Sequence, residues 1–175
     1  PYAYAFLENL FTGLLFVPAA VLAWSLPTAP FAWVLVLASA VLWSSIAVIA
    51  MHSYKYTKVS LRAPVSESRT LWVLVLGALL LAETVTLQKL LGIIFIFTGV
   101  LYVNYDAKTR FGSFRDKGVQ LTLLAAFLSA IVAIVDKKAT DYFSPGVYGV
   151  MVYLLPAVLI GAYTLHKKLP DVRSI

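Results

Sequence analysis

Arg62, Glu67 and Arg69 stand within eight residues of one another in a stretch, 59 to 82, that is otherwise apolar enough to enter a bilayer. A charge near the centre of a membrane helix costs at least about 2.5 to 3.5 kcal/mol on insertion scales, so such residues face a protein interior or water and take partners. At about 1.5 Å per residue, Glu67 lies roughly 7 Å and Arg69 roughly 10 Å deeper than Arg62. Helical spacing puts Arg62, Ser66 and Arg69 on one face and Ser60, Glu67 and Thr70 on another. Pro64 frees a backbone carbonyl in the same region. The chemistry on offer is recognition of a polar or charged solute, or exchange of a coupling proton, in a water-filled cavity. A second reading stays open: the same charges form structural pairs with neighbouring helices, or lie at the interface because the span starts later.

Other polar residues converge on the same place. Glu8 and Asn9 fall near one membrane side, from which the first and third spans both depart, and His52 ends the second span there. Each alone fits an interfacial residue, and together they outline one polar vestibule. Trp43, beside Ser44 and Ser45, sits mid-span, where its indole could stack on a substrate or face lipid or another helix. The expected substrate-binding set is therefore Glu8, Asn9, Trp43, Ser66, Glu67 and Arg69. Glu83 reads as a helix-end hydrogen-bonding residue, and Asp136-Lys137-Lys138 as the snorkelling, locally ion-paired end of the fifth span. No catalytic residue, metal site or cofactor is expected. Cysteine is absent, His52 and His166 stand far apart, and no two carboxylates are paired at acid/base spacing.

The elements that must position these residues follow from hydropathy. With 61% hydrophobic residues and a mean hydropathy of +0.88, the chain has too little polar surface to wrap a soluble core. A bilayer core of about 30 Å takes roughly 20 helical residues. Six runs meet that requirement, at about 5 to 26, 31 to 54, 59 to 82, 87 to 105, 118 to 138 and 146 to 166. Pro27 and Pro30 bracket the first turn, Thr86 can cap the fourth helix, and Pro145 opens the sixth, where a missing N–H is harmless. Trp24, Trp33, Tyr54, Tyr56, Tyr102 and Tyr105 fall at span ends, as interfacial aromatics do. The fold class expected is an all-α, polytopic bundle of six antiparallel transmembrane helices. Ala125, Ala126, Ser129, Ala130 and Ala133 on the fifth span, and Gly92 and Gly99 on the fourth, form small-residue faces expected to pack against helices.

Six spans in 175 residues leave no room for a soluble catalytic domain. The formal charge of +6 sits in short loops beside spans, where topology and anionic headgroups account for it, so nucleic acid is not an expected partner. Lys55, Lys58, Arg62, Lys108, Arg110, Arg115, Lys117, Lys167, Lys168 and Arg173 lie on one side, against Lys89, Lys137 and Lys138 on the other. The positive-inside rule puts the first group in the cytoplasm. The chain opens at Pro1 almost directly into a span, and its tail reads as a loop cut before its next element. A fragment of a longer protein is expected. Residues 1 to 15 align with 145 to 159 at an offset of 144, pairing Pro1, Tyr4, Leu10 and Leu15 with Pro145, Tyr148, Leu154 and Leu159. An internal duplication is a common way to build transporters.

The segment from Tyr54 to Tyr102 carries Ala63-Pro64 at the opening of a span, Gly77-Ala-Leu-Leu-Leu-Ala-Glu83 at its close, then Thr86, Gln88, Gly92 and Thr98-Gly99-Val100. It resembles the end of a first repeat in the drug/metabolite transporter superfamily, EamA-type. Lys117-Gly118 through Asp136-Lys137-Lys138, followed by Ser144-Pro145 and Tyr148, resembles the opening of a second repeat. The resemblance implies a ten-helix fold of two inverted five-helix repeats that carries small metabolites by alternating access. On that reading residues 1–105 are the remainder of the first repeat, 106–117 the inter-repeat loop and 118–175 the start of the second, so the visible spans are helices two to seven. The family's usual orientation, with its termini in the cytoplasm and the inter-repeat loop outside, is opposite to the one the charges indicate.

The function expected is secondary transport of a small metabolite or drug, with a small-molecule substrate, a coupling proton as a further ligand, and the lipid bilayer, in the cell membrane, as the surrounding partner; a homodimer is left open. The competing readings are an integral-membrane enzyme acting on a lipid or prenyl substrate and a structural membrane subunit.

Overall fold

The computed structural model describes residues 2–82, 84–104 and 115–172. Among them the regular structure is helical throughout: α1 (Tyr2–Leu22), α2 (Pro30–Ser53), α3 (Val59–Ser66), α4 (Arg69–Leu80), α5 (Leu87–Asn104), α6 (Lys117–Ala139) and α7 (Pro145–Val172). Five segments are long and apolar enough to cross a membrane, namely Ala3–Leu22, Pro30–Ser53, Leu61–Leu80, Lys117–Ala139 and Pro145–His166, and Leu87–Gly99 is a shorter apolar helix. The fold is that of a polytopic, all-α membrane protein. The fourth expected span, at about 87 to 105, corresponds to α5, whose 18 residues cover roughly 27 Å.

The helix starts follow local chemistry. Pro30 and Pro145 are the first residues of α2 and α7, where a missing N–H leaves no hydrogen bond unmade. Thr86 Oγ1 accepts from the Lys89 N–H at 3.3 Å, the cap that the sequence suggests for α5.

The third expected span, continuous over 59 to 82 in the sequence reading, is instead broken between α3 and α4 at Glu67 and Ser68. Both keep right-handed helical dihedrals, but the hydrogen bonds tighten to three-residue spacing: Ser68 N–H to Val65 O, Thr70 N–H to Glu67 O and Leu71 N–H to Ser68 O, at 3.0–3.1 Å. Pro64 one turn earlier has no N–H to donate and already weakens the ladder, and the tightened turn absorbs the disturbance.

The chain divides into two compact units, the first Pro1–Val48 with Val135–Ile175, the second Ile49–Ile134. In the first, α1 runs antiparallel along α7. A Cβ at Gly146 would lie 2.5 Å from the Ala19 carbonyl carbon, so the two backbones touch at a point that admits no side chain. Phe16 stacks on Tyr153 with centroids 5.7 Å apart, and the Ser144 hydroxyl donates to Ala23 O at 2.7 Å, tying the start of α7 to the end of α1. Ala20, Ala32, Val36, Ala139, Phe143, Val147 and Tyr148 form the core.

In the second unit, Val65 and Val119 are fully buried among Leu61, Ile96 and Leu123, and Trp72 meets Phe127 edge to face at 5.1 Å. Ala125, Ala126 and Ala130 are buried, as expected of a small-residue packing face. Among the described residues, an added Cβ at Gly92 or Gly99 would meet nothing within 4 Å. Thr70, Val73 and Leu74 of α4 and Lys89, Gly92, Ile93 and Ile96 of α5 line a cleft of about 350 Å³ that the described residues do not fill.

Candidate functional site

The most highly organised polar group lies in the first unit and is centred on Asp136. Its Oδ1 accepts from the Ser39 hydroxyl at 2.5 Å and from the Tyr148 hydroxyl at 2.6 Å, and its Oδ2 accepts from Trp43 Nε1 at 3.1 Å. Ser39 is fully buried and Tyr148 is 6% exposed. Ser39 and Trp43 are four residues apart on α2 and so share a face; they lie roughly 14 and 20 Å along it from Pro30. Asp136 is three residues from the end of α6, and Tyr148 is three residues into α7. One carboxylate therefore links three helices well inside the apolar layer of α2.

An ionised carboxylate offers about four lone-pair sites. Among the described residues, Oδ1 takes two donors and Oδ2 one, and all three donors are neutral. Hydrogen bonds to an ionised acceptor are about twice as strong as neutral ones.

Spacing in the sequence points elsewhere for Asp136. Its neighbours Lys137 and Lys138 suggest a helix end with local ion pairing, and the structure corrects that: the side chain turns to Ser39, Trp43 and Tyr148. Trp43 belongs to the expected set, and here its indole N–H is a donor to Asp136. Ser39 was missed because it lies 97 positions from Asp136, and Tyr148, 12 positions on, because only the turn between α6 and α7 brings it back to the carboxylate. The available signal was a serine and a tryptophan at i, i+4 in an apolar span.

Glu8, Asn9 and Trp43 lie in the first unit, and Ser66, Glu67 and Arg69 in the second. Glu8 is exposed, and the Asn9 amide donates to Ala5 O of its own helix at 2.8 Å. The Ser66 hydroxyl donates to Ala63 O at 2.6 Å. Glu67 and Arg69 are exposed on either side of the break, and between them Ser68 is buried with a hydroxyl that has no hydrogen-bond partner among the described residues. Arg62 does not run with them. Its Nε donates to the Ser53 hydroxyl at 2.7 Å and its guanidinium stacks 3.8 Å from the centroid of Tyr54. Glu83, Tyr105, Lys108, Arg110 and Arg173 lie outside the described residues.

These features define an integral membrane protein of several apolar helices, with a half-buried, hydrogen-bonded carboxylate in one unit and a broken span in the other. The family model for the EamA-like transporter family matches residues 1–105, more than half of the chain. The chain belongs to the EamA-like transporter family, a family of membrane transporters of small molecules. No curated protein and no solved structure matches it.

Proposed function

We propose that this chain is part of a secondary transporter that moves a small metabolite or drug across the cell membrane by alternating access, with Asp136 as the group that answers to the solute or to a coupling proton. The observation that carries this reading is the three-helix hydrogen-bond set on one carboxylate. Binding at Oδ2 changes the strength of bonds to α2 and α7 at once, which is what a site needs in order to bias two helix arrangements differently. The break at Glu67 and Ser68 supports the same reading, since a short three-residue-spaced turn inside a span is a place where helix halves can pivot. Glu67 and Arg69 flank that turn and, with Ser66 beside them, are proposed as a second solute contact, while Glu8 and Asn9 are proposed as solute contacts within the first unit. Residues 1–105 are read as the remainder of a first five-helix repeat, 106–117 as the inter-repeat loop and 118–175 as the start of the second. Enzymatic action on a lipid has no comparable support, because Asp136 is surrounded by donors and not by a second acid or base.

The test is solute uptake by the full-length protein in proteoliposomes. Asp136→Asn keeps a hydrogen-bond acceptor but loses the charge, and is expected to insert normally while uptake falls at least tenfold. Glu67→Gln and Arg69→Ala are expected to abolish uptake with expression near normal. Full uptake by Asp136→Asn removes the carboxylate from the mechanism, and full uptake by both α3–α4 variants removes the second contact.

A further inference from the structure

In the second unit, three span ends meet on one membrane side: Ser53 closes the span Pro30–Ser53, Leu61 opens the next and Lys117 opens Lys117–Ala139. The turn after α2 lies directly against the start of α6. A Cβ at Gly118 would come within 2.9 Å of the Thr57 backbone nitrogen and 2.7 Å of its Cβ, so the two segments are in contact through a residue with no side chain. Each segment brings cations. Lys55, Lys58 and Arg62 come from one and Arg115 and Lys117 from the other, against Asp116 as the one carboxylate in 52–62 and 115–118.

Two of these cations are held in place by tyrosines two residues apart. Arg62 lies over the Tyr54 ring at 3.8 Å and Lys117 Nζ over the Tyr56 ring at 4.8 Å. Stacking of this kind fixes a cation without neutralising it. A structural role explains Arg62 in part, since it donates to Ser53 at the end of α2, where a cation complements the helix dipole. It does not explain Lys117, which lies at a helix start, where a positive charge opposes the dipole. Five cations to one carboxylate beside three span ends, with the tyrosine hydroxyls as further donors, are complementary to an anion with several oxygens.

We propose that this surface is a binding site for the phosphate of an anionic phospholipid, held by Lys55, Lys58 and Lys117 and bordered by Tyr54, Tyr56 and Arg62. A lipid is favoured over a soluble phosphate because the site lies at the ends of three spans, where acyl chains run alongside. A basic residue near an anionic membrane surface raises binding by on the order of fivefold.

The experiment places the full chain in nanodiscs of phosphatidylcholine with or without phosphatidylglycerol and counts the lipids retained after extraction by native mass spectrometry. Wild type is expected to retain phosphatidylglycerol in preference to phosphatidylcholine. The triple variant Lys55→Gln, Lys58→Gln, Lys117→Gln is expected to lose that preference by about tenfold or more, while Lys137→Gln with Lys138→Gln, at the far end of α6, keeps it. Arg62 is left intact because it bonds Ser53. Equal retention of both lipids by wild type, or an unchanged preference in the triple variant, overturns the proposal. Displacement of phosphatidylglycerol by millimolar inorganic phosphate assigns the site to a soluble anion and overturns it as well. No outcome depends on transport, so the proposal stands or falls separately from the function proposed above.

Discussion

The two units are built from the same material, apolar helices with glycines at intervals, yet they use it in opposite ways. In the first, Gly146 sits where α7 touches the backbone of α1. In the second, a Cβ at Gly92 or Gly99 would meet nothing within 4 Å among the described residues, and α4 and α5 line a cleft of about 350 Å³. A glycine spacing in a membrane helix therefore says that close approach is allowed, and the partner helix decides whether it happens. The polar groups follow the same division. Asp136 has three partners, while the buried Ser68 hydroxyl has none among the described residues.

The largest test of this contrast is a bulky side chain at each kind of glycine. Gly146→Leu drives a side chain into the Ala19 backbone and is expected to destabilise the protein by about 3 kcal/mol or more, seen as loss of the folded peak in detergent or a large drop in melting temperature. Gly92→Leu projects into open space, and its stability is expected to stay within about 0.5 kcal/mol of wild type. Equal losses from both would mean that α5 also has a close partner in the folded protein.

The intermediate effect is expected at the carboxylate. Asp136→Leu leaves the Ser39, Trp43 and Tyr148 donors without their shared acceptor, and an unsatisfied buried donor costs about 1 to 3 kcal/mol. A loss of about 2 kcal/mol in the first unit is expected, with Asp136→Asn recovering much of it because one amide oxygen still accepts. If Asp136→Leu melts like wild type, the hydrogen-bond set does not hold the helices.

Ser68→Ala sharpens the comparison from the other side. Its hydroxyl is buried without a partner, so removal is expected to leave stability within about 0.5 kcal/mol of wild type or raise it slightly. A loss above about 1 kcal/mol, measured by thermal unfolding in the same detergent, would show that the hydroxyl is satisfied in the native membrane.

The sequence by itself determined that this is an all-α membrane protein, since the length of an apolar run is set by bilayer thickness and needs no tertiary information. It also placed Thr86 and Pro145 at helix starts, because a cap is a matter of neighbouring residues. The small-residue face around Ala126 and Ala130 was legible for the same local reason, though the empty face at Gly92 and Gly99 was not, because packing depends on which helix arrives. The tight turn at Glu67 and Ser68 lay beyond Pro64, where the sequence shows a weakened ladder but not the turn at which the helix yields. Asp136 is the clearest case of a feature that only the tertiary structure decided. Beside Lys137 and Lys138 it looked like a solvated helix end. Its three donors come from α2 and α7, and a hydrogen bond across helices exists only once the chain has folded them together.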